Sequence, residues 1–356
     1  MRVMKHELSR VIDKVKSIVD KAPSVPVLSG VLVRGNEVIA SNSELTVRVK
    51  LESTGADSFV LPMRAFDMIK TLPEGEVEIT RNEADVITIS MQNIRNQYQS
   101  YPPHTFPVGE EDPDNEGVML PGAQLMKALS NVVWASEDKS DNAMMRGVYI
   151  QVENGLLDIV ATNGHTVAFD RIETAGIANM QVLVPKRAVQ KLISMDMDDD
   201  VRLKFDKVRA VFETAEYSIA TRLIESRYVP YQKAFDGAPV GRAVAVRSDM
   251  IAALTRARLC IMGKPHTTNP LLLKIEGDLM AMSTADATAM YSEVMQLTEE
   301  FPQTLRIGFD PRLMLEGVKA VSGETVTLNF VGEAAPVYIS GETGSLRVLV
   351  LPVKTK

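Results

Sequence analysis

The side chains that could perform acid–base chemistry in this chain are few. It has four histidines, none with a second histidine or a cysteine at metal-ligand spacing: His6, His104, His165 and His266. His165 lies in the segment ATNGHT, where it could act as a general base on a nearby hydroxyl such as that of Thr162 or Ser226. Because such a base needs an orienting partner that the sequence does not provide, a turn histidine bonded to the backbone is the simpler interpretation.

Motifs for nucleotide or acyl chemistry are also absent from the sequence, which contains no GxxxxGKS/T, GxGxxG or GxSxG segment. The single cysteine, Cys260, lies in an apolar stretch with helical spacing, which indicates a buried, unreactive thiol. One cysteine excludes an internal disulfide framework and is typical of the reducing cytoplasm. We therefore expect no catalytic residue, no metal, no cofactor and a cytoplasmic location. No apolar run approaches the length of a membrane span.

Lysine and arginine offer a different chemistry, which is contact with phosphate. The chain of 356 residues has a net charge of −7, but this charge is unevenly distributed. Windows that we predict to be helical together carry +11 and the remainder carries −18; the windows are residues 2–21, 64–72, 122–139, 186–194, 247–264 and 312–320. If these helices share one side of the molecule, that side is positive and would contact phosphates without reading bases.

Helix faces give individual candidates for these phosphate contacts. In the first window Arg10, Lys14 and Lys21 fall within about 40° of one another on a helical projection, opposite the apolar positions. A basic helix face is usually only a solvated face, so the argument depends on its recurrence along the chain. The candidates from helix faces are Arg10, Lys14, Lys21, Lys186, Arg187, Arg256 and Lys319.

The elements that carry these residues recur three times. The phrases VLPMRAFDMI (60–69), LVPKRAVQKL (183–192) and IGFDPRLMLE (307–316) place Arg64, Arg187 and Arg312 at spacings of 123 and 125 residues. Each of these arginines is followed by a helical stretch, an acidic turn and an alternating strand. A second set, VIASNSELTVRV, DIVATNGHTVAF and LMAMSTADATAM, places Ser41, Thr162 and Ser283 at intervals of 121 residues. Each segment reads as a strand, a polar turn and a second strand.

A period near 120 residues is the size of a domain and is too long for a solenoid. Pro-, Gly- and Asp-rich linkers at 108–117 and 229–241 separate the repeats. We predict three similar α+β domains, at residues 1–118, 119–240 and 241–356. Gene duplication without functional meaning is one explanation; the other is that equivalent domains line up along an arc, and head-to-tail contacts that close would make a ring.

Taken together, these segments resemble the bacterial DNA polymerase III beta subunit family, the DNA sliding clamps. The resemblance runs the full length of the chain, as for a divergent member, and its motifs are specific only in combination. The segments that carry it are PSVPVLSGVLV (23–33), FVLPMRAFDMIKTLPEGEVEI (59–79), ATNGHTVAF (161–169), TRLIESRYVPYQKAF (221–235), IGFDPRLMLEGVKAV (307–321) and VLVLPVKTK (348–356).

The resemblance implies a head-to-tail homodimer in which six clamp domains form a ring, with helices inside and antiparallel sheets outside. Double-stranded DNA would pass through the ring without sequence-specific contacts, and Arg64 and Lys233 would face it. The clamp would be a non-catalytic processivity factor. The dimer joint implied for this chain involves Gln97, Tyr98, Gln99, Ser100, Ile261 and Met262.

The resemblance also implies a hydrophobic pocket for short linear peptides of the replicative polymerase, the clamp loader and repair proteins. Its lining, carried over residue by residue, is Met145, Thr162, Gly164, His165, Thr166, Val167, Val229, Pro230, Pro336, Leu349, Leu351, Pro352 and Val353. The family usually has DGHRLA where this chain has NGHTVA (163–168), so an arginine wall is missing. We therefore expect a reshaped pocket.

Two alternatives remain open at this stage. The chain could be a scaffold that binds peptides but does not encircle DNA, in which case it would be a monomer in solution. It could instead be an enzyme of unknown chemistry that uses His165.

Overall fold

The computed structural model describes residues 1–42, 44–55, 57–108, 112–174, 176–195, 197, 199–261, 269–285 and 288–353. The α-helices in these ranges are α1 (Lys5–Val15), α2 (Arg64–Thr71), α3 (Gly122–Val132), α4 (Lys186–Ser194), α5 (Arg247–Cys260) and α6 (Pro311–Ala320). The β-strands are β1 (Arg2–Met4), β2 (Gly30–Arg34), β3 (Glu37–Ser41), β4 (Leu45–Lys50), β5 (Ser53–Thr54), β6 (Ser58–Pro62), β7 (Glu76–Arg81), β8 (Val86–Met91), β9 (Ile94–Gln99), β10 (Val118–Leu120), β11 (Gly147–Glu153), β12 (Leu156–Thr162), β13 (Thr166–Glu173), β14 (Met180–Pro185), β15 (Val201–Phe205), β16 (Arg209–Glu213), β17 (Tyr217–Arg222), β18 (Gly241–Val246), β19 (Leu271–Ala285), β20 (Met290–Phe309), β21 (Ser322–Phe330), β22 (Val337–Thr343) and β23 (Arg347–Val350). No helix in the described ranges is long and apolar enough to cross a membrane.

The chain forms two compact units. Unit 1 contains residues 1–123 and 194–223, and unit 2 contains residues 124–193 and 224–356. Every strand pair among the described residues is antiparallel, which confirms the predicted α+β class with antiparallel sheets.

Unit 1 has a five-stranded sheet in the order β5-β1-β7-β8-β9 and an eight-stranded sheet in the order β10-β15-β16-β17-β4-β3-β2-β6. Unit 2 has an eight-stranded sheet in the order β14-β11-β12-β13-β23-β22-β21-β18 and the long hairpin β19-β20. Strands from the predicted second domain, residues 119–240, therefore contribute to both eight-stranded sheets.

Helix α1 shows how the apolar spacing produces a packed element. Leu8, Val11, Ile12 and Val15 repeat at three and four residues and are all buried, so one face of the helix joins the core of unit 1. The predicted helical window 2–21 is too long at both ends, because Arg2–Met4 is a strand and the helix ends at Val15. Ile18 and Val19, which fit the helical pattern, remain buried in the turn that follows.

Short turns set the register of the strands that carry the candidate sites. In the β11–β12 hairpin, Asn154 and Gly155 both have positive φ, +52° and +77°, as a two-residue turn of this kind requires. Helix α6 begins in the same locally determined way. The carboxylate of Asp310 caps it by accepting the Arg312 backbone N–H at 2.9 Å, and Pro311 occupies its first position.

Candidate nucleic-acid and peptide interfaces

Each of the helices α1 to α6 has a net positive charge, between +1 and +3. Arg64 is exposed at the first position of α2, Lys21 is exposed after α1, and Lys233 is exposed in the 3₁₀ turn Tyr231–Phe235. None of these three side chains forms a hydrogen bond or ion pair with another described residue. Their charges therefore face solvent without internal neutralisation and are available to phosphate.

Other predicted phosphate contacts already have carboxylate partners. Arg10 bonds to Glu7 at 2.9 Å and to Glu216 at 3.3 Å, and the hydrogen bond to Glu7 raises the pKa of Arg10. Arg256 forms a bidentate ion pair with Glu293, at 2.8 and 2.6 Å, and its hydrogen bonds lower the pKa of Glu293.

Of the remaining helix-face candidates, two donate to backbone carbonyls and a third lies near a carboxylate of its own helix. Lys14 donates to the Met195 carbonyl at 2.7 Å, and Lys186 donates to the Ser136 carbonyl at 2.7 Å. Lys319 lies 3.7 Å from Glu316, and Arg187 is exposed in α4. A count of charges along the helices therefore overstates the positive charge exposed to solvent, because a helical projection does not show partners that are distant in sequence, such as Glu216 and Glu293.

In each of the two eight-stranded sheets, one strand pair joins two different sequence repeats. We name these two pairs joint A and joint B. Joint A is the pairing of β4 with β17 in unit 1, with Thr46 opposite Ala220. Joint B is the pairing of β13 with β23 in unit 2, with Thr166 opposite Val350. In both joints, the strand after the repeated polar turn pairs with the last strand of the next repeat.

Strand β9 is the corresponding last strand of the first repeat, and it lies at the edge of its sheet. The Ser100 backbone N–H donates to the Asp85 carbonyl at 3.0 Å. In an antiparallel pair, the backbone N–H groups of successive residues point alternately toward the partner strand and away from it. The backbone N–H groups of Gln97 and Gln99 therefore point away from β8, whereas those of Tyr98 and Ser100 point into the unit. The edge presents a row of donors and acceptors that another strand can pair with.

Strand β20 is the counterpart of β4 in the third repeat, and among the described residues it pairs only with β19. Its exposed apolar side chains include Met290, which is 82% exposed, and Val294, which is 61% exposed. Ile261, the predicted packing residue at the end of α5, is buried within unit 2. Met262, predicted for the same joint, lies outside the described residues.

The candidate peptide pocket, defined by the thirteen residues carried over above, is built around the turn between β12 and β13. The Thr162 hydroxyl donates to the Thr166 carbonyl at 2.7 Å and accepts the Gly164 N–H at 3.1 Å. The Asn163 side-chain oxygen accepts the N–H groups of His165 and Thr166. Gly164 has φ +82°, where a glycine is favoured, and a Cβ there would lie 2.9 Å from the Met145 methyl.

The carboxyl-terminal segment lies directly beside this turn. The Leu351 N–H donates to the His165 carbonyl at 2.9 Å, and the Thr166 hydroxyl donates to the Leu349 carbonyl at 2.6 Å. The His165 side chain is exposed and Leu351 is 39% exposed, whereas Thr166 and Leu349 are buried. The buried pair therefore fixes the position of the two exposed side chains.

The remaining pocket residues lie on neighbouring elements of unit 2. Val167 packs against the aromatic cluster that includes Tyr228, and the two residues after Tyr228 are the exposed Val229 and Pro230. Pro336 immediately precedes β22, which pairs with β23. Pro352 and Val353 continue from Leu351 and are half-buried.

An aromatic cluster beside the pocket was missed by sequence reasoning. Tyr149 and Tyr228 stack with ring centroids 4.4 Å apart, and Tyr231 meets both edge-on. The Tyr231 hydroxyl donates to the buried carboxylate of Asp158 at 2.6 Å, and Arg171 bonds to the same carboxylate. Burial, followed by the hydrogen bond to Asp158, raises the pKa of Tyr231, so its hydroxyl keeps its proton. The only sequence signal was the aromatic spacing in RYVPYQKAF.

Replacing Tyr231 with phenylalanine should lower the free energy of unfolding by about 1–2 kcal/mol, because Asp158 loses one buried donor. Urea unfolding followed by circular dichroism would measure the change. The matched control is Tyr101→Phe, since Tyr101 is 41% exposed and its hydroxyl is not bonded to a described residue. Equal stability of the two variants would contradict the assignment of a structural role to this hydrogen bond.

Comparison with known proteins adds an independent observation. Residues 1–110 match the model of the DNA polymerase III beta subunit N-terminal domain, and residues 119–230 match that of the central domain. The chain belongs to the DNA polymerase III beta subunit family. The beta sliding clamp of Staphylococcus epidermidis is 23% identical over 98% of this chain and 97% of its own length.

Solved beta subunits have the same fold. The beta subunit of DNA polymerase from Streptococcus pyogenes aligns with a TM-score of 0.93 at 18% identity, over 99% of both chains. A sliding clamp from Pseudomonas aeruginosa, bound to griselimycin, aligns with a TM-score of 0.91 at 20% identity, over 100% of this chain and 99% of its own. Identity this low across whole chains marks this chain as a divergent member of the family.

Proposed function

We infer that this chain is a DNA sliding clamp, the processivity factor that tethers a replicative polymerase and other partners to duplex DNA. Family membership along both matched regions carries this inference. The family is non-catalytic, and the two alternatives raised from the sequence, an enzyme using His165 and a scaffold that does not encircle DNA, are not favoured. In keeping with this role, we propose that the protein works in the cytoplasm.

We further propose that the clamp is a head-to-tail homodimer, closed by two copies of a third joint. Joints A and B each pair the strand after the repeated turn with the last strand of the next repeat. The same rule applied between two chains pairs β20 of one protomer with β9 of the other. The outward N–H groups of Gln97 and Gln99 and the exposed apolar side chains of β20 support this arrangement.

The proposed ring would hold DNA by enclosure rather than by tight binding. Phosphate contacts of this kind give dissociation constants of roughly 10⁻⁴ to 10⁻⁶ M and weaken with salt, so they permit sliding. We propose Arg64, Lys21 and Lys233 as the strongest contacts, because their charges have no partner among the described residues. Arg10, Arg256 and Lys319 would contribute less, since each must first leave a carboxylate.

Replacing Arg64 with alanine should reduce the salt dependence of binding to a short linear duplex. The dimer carries two copies of Arg64, so losing both phosphate contacts reduces the magnitude of the slope of log K against log salt by about 1.8. Fluorescence anisotropy at several salt concentrations would measure both slopes. Arg256→Ala is the matched comparison, because pairing with Glu293 already occupies that guanidinium; an equal or larger effect of Arg256→Ala would contradict the ranking.

We propose that the candidate peptide pocket receives short linear peptides from polymerases, the clamp loader and repair proteins. Leu351, Val167, Val229 and Pro230 offer apolar contact, and the turn at His165 supplies exposed polar groups beside it. Apolar anchors of a peptide lying between such side chains would supply most of the affinity. Thr166 stands where the family usually has an arginine, and its hydroxyl is used internally, so this wall of the pocket is short and uncharged.

Retention on circular DNA tests the clamp function. A clamp placed by its loader on a nicked circle should remain there during gel filtration and leave when the circle is linearised. Loss at the same rate from both forms would reject enclosure of DNA. The mass of the protein in solution separates the remaining possibilities, because a strict monomer at micromolar concentration would favour the scaffold alternative.

A further inference from the structure

Unit 1 contains a cavity of about 340 Å³ beside joint A, and the role described above does not use it. Its apolar lining includes Leu28, Pro107 and Val108, of which Val108 packs against the core cluster around Leu28. Its charged lining includes Asp20, Arg48 and Arg222. We call it the unit 1 cavity.

The turn beside this cavity repeats the turn of the candidate peptide pocket. The Asn42 side-chain oxygen accepts the N–H groups of Glu44 and Leu45, as that of Asn163 does for His165 and Thr166. The Ser41 hydroxyl lies 3.4 Å from the Leu45 carbonyl, matching the bond from Thr162 to Thr166.

The strand registers extend this equivalence across the whole site. Leu45 lies opposite Thr221, and Thr166 lies opposite Val350, so Arg222 occupies the position of Leu351. The same registers place Arg209, opposite Arg222, at the position of Pro336, which precedes Val337.

The other walls correspond as well. Leu28 and Met145 each lie two residues before the glycine that begins the next strand. Pro107 lies eight residues after the end of β9, as Pro230 lies eight residues after the end of β17. The unit 1 cavity is therefore the candidate peptide pocket built a second time.

The chemistry of the two sites differs at their charged positions. Arg222 replaces Leu351, and Arg48 stands at the position of Phe169. Arg48 is paired with Asp112 at 3.2 Å, so its charge is largely neutralised. The side chains of Arg222 and Asp20 are exposed and form no hydrogen bond or ion pair with another described residue. The cavity thus has an apolar wall and two uncompensated charges of opposite sign.

We propose that the unit 1 cavity is a second peptide site, which takes a short extended segment with an apolar side chain between an acidic and a basic residue. The apolar side chain would contact Leu28, Pro107 and Val108, the acidic residue would pair with Arg222, and the basic residue would pair with Asp20. This inference rests on the proposed peptide-binding function of the equivalent site in unit 2. The two sites would select different partners, because one is apolar and the other is charged at equivalent positions.

Titration of the full-length protein with three blocked peptides tests the proposal. The peptides have the sequences Gly-Asp-Leu-Leu-Lys-Gly, Gly-Lys-Leu-Leu-Asp-Gly and the uncharged Gly-Asn-Leu-Leu-Gln-Gly, and methyl NMR signals of Leu28 and Val108 report occupancy. One charged peptide should shift these signals at lower concentration than the uncharged one. Arg222→Ser should weaken binding of that charged peptide about two- to five-fold, as expected for loss of an exposed ion pair.

Three further variants locate the bound peptide. Ala220→Trp fills the cavity from β17 and should weaken binding more than ten-fold, whereas Ser218→Trp, on the same strand and face but outside the cavity lining, should not. Leu351→Asp, in unit 2, should leave the shifts of Leu28 and Val108 unchanged. No shift with any peptide, or equal shifts in the two tryptophan variants, would overturn the proposal. If the candidate peptide pocket in unit 2 does not bind peptides, binding of the polymerase peptide will be insensitive to Leu351→Asp. This result distinguishes failure of the proposed function from failure of the unit 1 cavity proposal.

Discussion

Replacing Gln97 with proline should convert the proposed dimer into monomers and release the protein from circular DNA. The Gln97 N–H points away from β8, so proline removes a donor that faces the open edge and leaves the bonds of β9 with β8 in place. Counting along the repeated strands, Gln97 corresponds to Ala220, whose N–H faces β4 in joint A. The dimer has two such joints, so the two carbonyls left unsatisfied in the partner strands cost about 2–6 kcal/mol together, which raises the dissociation constant of the dimer by about thirty-fold or more.

Sedimentation of the Gln97→Pro variant over a range of concentrations would measure this change directly. Gln97→Ala is the matched control, because it removes the side chain and keeps the backbone N–H. Both variants should unfold at the same urea concentration as the parent protein if β9 is otherwise intact. A Gln97→Pro variant that remains dimeric at nanomolar concentration would show that β9 is not part of the joint.

Replacing Leu351 with aspartate should abolish measurable binding of a labelled peptide that carries the clamp-binding segment of the replicative polymerase. Leu351 is 39% exposed, and the proposed pocket depends on its apolar surface. Losing the burial of a leucine against the peptide removes about 1.5–3 kcal/mol, and a carboxylate adds the cost of its own desolvation. We expect the dissociation constant to rise by at least about thirty-fold, as measured by fluorescence anisotropy.

The fold should tolerate this substitution, because the Leu351 backbone N–H that bonds to His165 is retained. Leu272→Asp is the matched control, since Leu272 is 44% exposed in the same unit and lies outside the candidate pocket. Loss of binding in both variants would indicate a general effect of added charge. Unchanged binding in Leu351→Asp would remove this residue, and the carboxyl-terminal wall with it, from the pocket.

Local periodicity was sufficient to predict most of the elements. The window 186–194 coincides with α4, and the strand starting at Val201 coincides with β15. These predictions succeed because burial of one helix face or one strand face leaves a direct pattern in the sequence. The window 2–21 failed at both ends, because burial of Ile18 and Val19 in a turn produces the same pattern as burial on a helix.

Contacts between distant segments could not be predicted in the same way. Glu216 lies 206 residues from Arg10, and Tyr231 lies 73 residues from Asp158, yet both pairs are bonded. A pattern of apolar positions indicates which face of a helix or strand is buried. It does not indicate which distant side chain bonds to a charged residue of that element. The candidate pocket residues were obtained only through the family resemblance, because exposed residues such as Val229 and Leu351 follow no periodicity.

The sharing of strands between repeats limits how this chain can be divided. A fragment of residues 119–240 would lose β4 from one side of β17 and β23 from one side of β13. This fragment would have two unpaired strand edges where the intact chain has continuous sheet, and each of the two flanking repeats would have one. Unpaired edges of this kind favour aggregation. Truncation at the boundaries of the sequence repeats would thus yield insoluble material even though each repeat has the length of an independent folding module.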